Sequence, residues 1–347
     1  MITKNHSLIR RGAPLLLIGL SIFVLYLYFF VGFADITTIL QRVDPFYYSL
    51  AFVAVLLSVT FYSLTWQQLL SLLSVKAAFQ NTFLFTWVGT LVDLLVPAES
   101  IGGEISRAYL MSKSSGENTG RVVASVVSHR ILSMTVTLSG LVIGSALFVL
   151  QYEPSGILLN FIIIVAVGTT ISLALFCYLC LRKQVTEKIV NWVIRLLTSI
   201  LRGRWRPTRL RHRAQKMLEA FHEGIEILGK RPRGLALPLF LSMTAWFFDL
   251  IIAYLVFVSL IPTRPVSLSL IIIVYSITTA IQTIPLGIPC EVGLTEIVMT
   301  SLYTTLGIPI AISAAATVLT RVVTLWFRLL IGGIAVQWVG VKALMRQ

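Results

Sequence analysis

Residues 45–75 form a run of 31 positions without a single Asp, Glu, Lys or Arg. As a helix rising 1.5 Å per residue, such a run is about 46 Å long, more than the ~30 Å hydrocarbon thickness of a bilayer, so it spans with tilt. Residues 12–34, 122–151, 156–181, 234–261 and 308–341 are comparable apolar runs. In lipid every backbone polar group must be satisfied within the protein, which leaves helices or closed barrels. The alternation of a membrane barrel is absent and the runs exceed 20 residues, which selects helices. Composition agrees: 12% of residues are charged and 57% hydrophobic, against roughly 25% charged in soluble domains. The expectation is a single polytopic all-α membrane domain over 1–347, with about six full transmembrane helices. Residues 12–34 are read as a retained first helix rather than a cleaved leader.

Two places break the pattern. Pro97, Glu99, Gly102, Gly103, Glu104 and Arg107 interrupt one apolar stretch, and Pro289, Glu291, Gly293 and Glu296 interrupt another. Both contain Pro-x-Glu-x-x-x-x-Glu. Each is followed by an apolar helix with an Arg inside, Arg130 after Glu104 and Arg321 after Glu296. The expected architecture is therefore two related halves, about 45–151 and 234–341, each holding one broken or re-entrant helical hairpin. A basic loop, 182–233, separates them.

The net charge of +14 does not point to nucleic acid, because most of it is concentrated in that loop, with 14 Lys/Arg against 4 acids. Such asymmetry is first a topology signal. If each hairpin returns to its own side, 22 Lys/Arg face the cytoplasm and only Arg42 and Arg264 face outward. Both termini are then cytoplasmic. The hairpins enter from opposite sides, an inverted repeat of the kind that places a transporter's substrate near the midplane. Within the loop, apolar residues at helical spacing (Ile189, Trp192, Val193; Leu218, Phe221, Ile225) fit two readings, amphipathic helices lying on an anionic leaflet or a solvated basic loop with ordinary helices.

Ionisable residues inside a membrane are expensive and are normally partnered or face water. Glu99, Glu104, Arg107, Arg130, Asp249, Glu291, Glu296 and Arg321 are the candidates. One reading makes Arg130, Arg321 and Arg107 receptors for an anionic head group, since the planar guanidinium donates two parallel bonds to phosphate. Helix N-termini after Gly102 and Gly103 and near Gly293 would add free N–H groups. The plainer reading pairs Glu104 with Arg130 and Glu296 with Arg321 as structural clamps. Asp249 is either a coupling carboxylate or a hydrogen-bond partner of a neighbouring helix, and His129 a helix–helix contact. Gly140 and Gly144 permit close helix packing. Cys177, Cys180 and Cys290 lack the further ligands a metal needs. No hydrolase, zinc-protease or nucleotide-loop motif is present, so no catalytic residue, metal or cofactor is expected.

The run Gly102, Gly103, Glu104, Arg107, Leu110, together with Pro289, Gly293, Glu296, Gly307, Pro309 and Arg321, resembles the lysylphosphatidylglycerol synthase transmembrane-domain family, also called the flippase-like domain family. The likeness covers nearly the whole chain. Cys290 and Glu291 stand where that family usually has Gly-Gly, and His129 where an acid often precedes the Arg. The resemblance implies a stand-alone member without the synthase domain, moving a lipid head group between leaflets of a prokaryotic cytoplasmic membrane rather than transferring an aminoacyl group. The cargo would be an anionic or phosphate-containing lipid, whether phospholipid, aminoacyl-lipid or polyprenyl-linked lipid. Expected partners are membrane lipids, with a second copy of the chain or a lipid-synthesis enzyme as protein candidates. The alternatives are a non-transporting lipid-binding scaffold for envelope or glycan assembly, and a small-anion transporter.

Overall fold

The computed structural model of the chain describes residues 21, 25, 38–96, 101–152, 156–200, 207–263, 266–282 and 288–344. Among these residues all regular structure is helical. Helix α1 (Pro45–Leu72) begins at Asp44, whose carboxylate accepts the Phe46 N–H at 2.8 Å with Pro45 in the first turn. That is a cap set by the local sequence. It is followed by α2 (Phe79–Leu95), α3 (Ile101–Ser115) and α4 (Thr119–Gln151). Helices α5 (Gly156–Leu181), α6 (Lys183–Ile200) and α7 (Pro207–Gly229) come next. A 3-10 turn, Pro232–Leu235, then leads into α8 (Ala236–Leu260) and α9 (Leu268–Gln282). A second 3-10 turn, Pro289–Glu291, precedes α10 (Leu294–Thr305) and α11 (Ile310–Arg321). The latter continues through a π-helical turn, Val322–Trp326, into α12 (Phe327–Leu344).

Five stretches are long and apolar enough to cross a membrane: Pro45–Leu72, Thr119–Gln151, Leu159–Leu181, Pro232–Leu260 and Ile310–Gly340. They match five of the six expected spans, and the sixth, 12–34, lies outside the described residues except for Ser21 and Leu25. The chain is an all-α membrane protein. The helices of the pairs α2–α3 and α9–α10 have 17 and 15, and 15 and 12 residues. At 1.5 Å per residue these reach about 18–26 Å, short of the hydrocarbon thickness. The partners in each pair pack on each other. The second arm of the first pair takes in residues 112–115 of the polar link expected to start at Ser112; the Ser115 hydroxyl donates to the Met111 carbonyl within the helix, and Ser112 Oγ meets Thr119 Oγ1 at the start of α4.

The order long, short, short, long thus occurs twice, α1–α4 and α8–α12, and the packing is reciprocal. Helix α1 lies along α8, α9 packs on α4, and α12 packs on α2. The pair Gly140 and Gly144 makes one of these contacts close. A Cβ on Gly140 would lie 2.2 Å from the Trp246 ring, and one on Gly144 would lie 2.4 Å from Ile272 Cγ2. Buried Val55, Leu141, Ile252, Val256, Ile273 and Ile277 fill the shared core. The described parts of the basic segment form α6 and α7, the helices that both readings of it contained. Leu218, Phe221 and Leu228 of α7 pack into a second core with Trp66, Leu70 and Val122.

Candidate functional site

The two short-helix pairs meet the long helices around a cavity of about 470 Å³. Its wall gathers residues from α1, α2, α3, α4, α8, α9 and the α11–α12 rod, and it extends to Thr169, Ser172 and Leu173 of α5. Of the residues singled out from sequence, Glu104, Arg107, Arg130, Asp249, Glu291 and Arg321 line this one space. Glu296 and the glycines stand directly behind it. Glu99 lies outside the described residues.

The first hairpin closes on Asp93. Its Oδ1 accepts the Gly103 N–H at 2.6 Å. A Cβ at Gly103 would fall 2.2 Å from Asp93 Oδ2 and 2.3 Å from the Gly89 carbonyl, so only glycine allows the arms to approach this closely. Gly102 packs beside Val92. In the second hairpin the Gly293 N–H donates to Glu296 Oε2 at 2.7 Å. At each helix start one of the N–H groups expected to be open to an anion, that of Gly103 and that of Gly293, is therefore taken by the chain's own carboxylate.

Both expected ion pairs form. Arg130 Nη1 donates to Glu104 Oε1 at 3.1 Å, and the two side chains are 20% and 19% exposed. Arg321 Nε donates to Glu296 Oε1 at 2.7 Å and its Nη2 to the Cys290 carbonyl at 2.7 Å, with side-chain exposures of 9% and 5%. That carbonyl belongs to a strained turn. Cys290 and Glu291 have φ of +57° and +49°, and Gly293 +93°. The left-handed region is costly for residues with a Cβ. The positions where the resembling family carries Gly-Gly are thus those that need glycine-like geometry. Arg321 grips the turn from one side, while the Cys290 thiol reaches the Leu94 carbonyl at 3.1 Å, joining the second hairpin to the first. Glu291 accepts from the Thr295 hydroxyl at 3.0 Å.

A third pair was not foreseen. Arg328 Nη2 donates to Asp249 Oδ1 at 2.9 Å, and Asp249 also accepts from Ser58 (2.8 Å) and Tyr275 (3.1 Å). One carboxylate on α8 so ties together α1, α9 and α12, the neighbouring-helix role considered for it. Arg328 follows Arg321 by seven residues, which in a regular helix would put both on one face. The π turn between them adds one residue to the repeat and rotates the second Arg by about 100° toward α8.

Arg107 differs from the other three. It is 4% exposed, and among the described residues no carboxylate lies within 4 Å of it. Its guanidinium sits 5.4 Å from the Tyr62 ring centroid and 5.2 Å from that of Trp66, with Nη1 3.4 Å from His129 Nδ1. His129, fully buried, packs its ring on Tyr62 at 4.0 Å. Cation–π contact orients a guanidinium without neutralising it. The same wall holds buried polar atoms without a protein hydrogen-bond partner: Ser133 Oγ, Ser276 Oγ, Thr278 Oγ1, Trp246 Nε1 and Arg328 Nε. Buried polar groups are rarely left so, and here they share one space. Asp93, Arg328 and the Tyr62–Trp66 cradle were missing from the sequence-derived site. The available signal was Asp93 as a lone acid just ahead of a proline break.

A sequence model of the family described as "Lysylphosphatidylglycerol synthase TM region" matches residues 16–332. Among similar proteins is a UPF0104 membrane protein of Methanothermobacter thermautotrophicus, 26% identical over 331 residues, covering 95% of this chain and 96% of that one. A second is from Methanocaldococcus jannaschii, 26% identical over 326 residues (93% and 94%). A third is from Pyrococcus horikoshii, 23% identical over 325 residues (93% and 95%).

Proposed function

Since the chain belongs to the lysylphosphatidylglycerol synthase TM region family, we propose that it moves a phosphate-bearing lipid between leaflets through the cavity between its two halves. The observation that carries this reading is Arg107, a buried cation in that cavity with no carboxylate within 4 Å among the described residues. Burying a charge that makes no direct ion pair is costly, and a phosphate would repay it with charge-assisted bonds. Arg130, Arg321 and Arg328 are already held by Glu104, Glu296 and Asp249, so they shape the cavity and Arg107 receives the head group. Unpartnered Ser133, Ser276 and Thr278 hydroxyls supply further donors.

The size of the cavity supports a lipid over a small ion. About 470 Å³ suits a head group but not a pair of acyl chains, which must stay in the bilayer. The wall formed by Thr169, Ser172 and Leu173 belongs to α5, a span in which Ile162 alone is buried among the described side chains, so that much of its surface faces lipid. In this reading the two halves are inverted in the membrane, and the protein is not an enzyme. Native mass spectrometry of purified protein tests it. Wild type should retain a phosphate-bearing lipid, and Arg107→Gln should lose it about 10–100-fold, the worth of one charge-assisted bond at 1.5–3 kcal/mol. Equal retention by both would remove Arg107 from the site. Retention of inorganic phosphate in place of lipid would favour a small-anion transporter.

A further inference from the structure

We infer that α6 is an interfacial anchor which lays an apolar stripe into the anionic leaflet where α5 ends. This stands apart from the cavity and from the transport reading. Helix α5 ends at Leu181 and α6 starts at Lys183, so α6 begins at the membrane surface by continuity with a span. The corner is fixed: the Thr186 hydroxyl donates to the Leu179 carbonyl at 2.7 Å and to that of Arg182 at 3.1 Å, and Arg182 stacks 5.8 Å from the Tyr178 ring centroid. A chain turning here cannot carry α6 far into water.

The two faces of α6 then divide. Glu187, Val190, Asn191 and Ile194, at i, i+3, i+4 and i+7, face Leu218 and its neighbours on α7. Protein packing is satisfied on that side. Ile189, Trp192 and Val193, at i, i+3 and i+4, project elsewhere and are 42%, 58% and 39% exposed. A Trp flanked by branched aliphatics on an uncovered helix face is costly in water and suits the head-group boundary, where the indole has an apolar body and a polar N–H. The exposed Lys188 and Arg195 lie on one flank of this stripe, about 95–115° around the helix from its centre, where they reach lipid phosphates while the stripe sinks. The 14 Lys/Arg of 182–233 make the occupant an anionic leaflet rather than an apolar protein groove, since basic side chains near such a surface are attracted to it.

The test places the photocrosslinker benzoylphenylalanine at Ile189 or Trp192, with Gln184 as an exposed position off the stripe, in full-length protein reconstituted into phosphatidylglycerol vesicles. All three side chains are exposed, so folding is not at stake. Lipid adducts detected by mass spectrometry should be at least fivefold more abundant at 189 and 192 than at 184. They should fall severalfold in phosphatidylcholine vesicles and in a Lys188→Gln, Arg195→Gln background. Equal adducts at all three positions, or adducts to a second protein chain, overturn the anchor. Equal yields at 189 and 192 in the two lipids overturn the anionic partner. Lipid transport in the cavity is not read by this assay, so its outcome leaves that reading untouched.

Discussion

The two hairpins share a motif and an ion pair but not an environment. In the second, Glu296 holds Arg321 and caps Gly293, while Arg321 also grips the Cys290 carbonyl, almost fully shielded from water. In the first, Arg130 makes one longer bond to Glu104 with about a fifth of each side chain exposed, and Asp93 rather than the pair closes the helix start. The same pairing of residue types therefore has two energetic meanings. A dry, multiply bonded pair is a clamp whose loss strands a charge. A wetter, singly bonded pair is the weaker hold, and under the proposed function it is the one that yields to a charged head group. The proposed flexibility of the cavity thus resides in the first hairpin and its rigidity in the second.

The comparison presupposes hairpins that enter from opposite faces. Cysteines at Ser114 and Lys230 should be labelled only from the cytoplasmic side, and one at Thr263 only from outside, an all-or-none difference. Labelling of Ser114 from outside breaks the inversion. Next in size is Arg321→Ala, which should destabilise the protein by about 3–5 kcal/mol, read as a lowered unfolding temperature in detergent. Adding Glu296→Gln should recover most of that loss, because no buried carboxylate is then left unpaired. Arg130→Ala should cost less, about 1–2 kcal/mol, since water reaches Glu104. If the two Ala variants are equally damaging, the contrast between the hairpins is wrong. The smallest effect concerns the strained turn. Cys290→Gly should be stabilising by about 0.5–1 kcal/mol, the left-handed strain relieved less the entropy of glycine and the lost contact to Leu94. Cys290→Val should destabilise by about 1–3 kcal/mol, as a β-branched residue at positive φ. Two changes of the same sign would show that the turn carries no strain.

Much of this was legible in the chain. Long apolar runs located five described spans because hydrocarbon leaves no cheaper arrangement, and the repeated Pro-x-Glu spacing located both hairpins and the partners of Arg130 and Arg321. Three features were hidden. The Asp249–Arg328 pair depends on a π turn, which has no composition of its own and which rephases Arg328 away from Arg321. Asp93 closes the first hairpin through a backbone N–H, a contact set by how near the arms come at Gly89 and Gly103. The environment of Arg107 is built from α1, whose Tyr62 and Trp66 read in sequence as ordinary residues of an apolar helix. Sequence supplied which charges sit in the membrane, and only packing decided which of them, among the described residues, has no carboxylate within 4 Å.

The central claim is that lipid crosses beside Arg107, and transbilayer movement in proteoliposomes measures it most directly. Fluorescent phospholipid in the inner leaflet is followed by its accessibility to an external quencher, for wild type, Arg107→Lys and Arg107→Gln, each checked for unchanged unfolding temperature. The account predicts protein-dependent movement in wild type. Arg107→Lys should be slower by about tenfold, because a point charge replaces a planar fork, and Arg107→Gln should approach empty vesicles. Normal movement by a folded Arg107→Gln protein would contradict it.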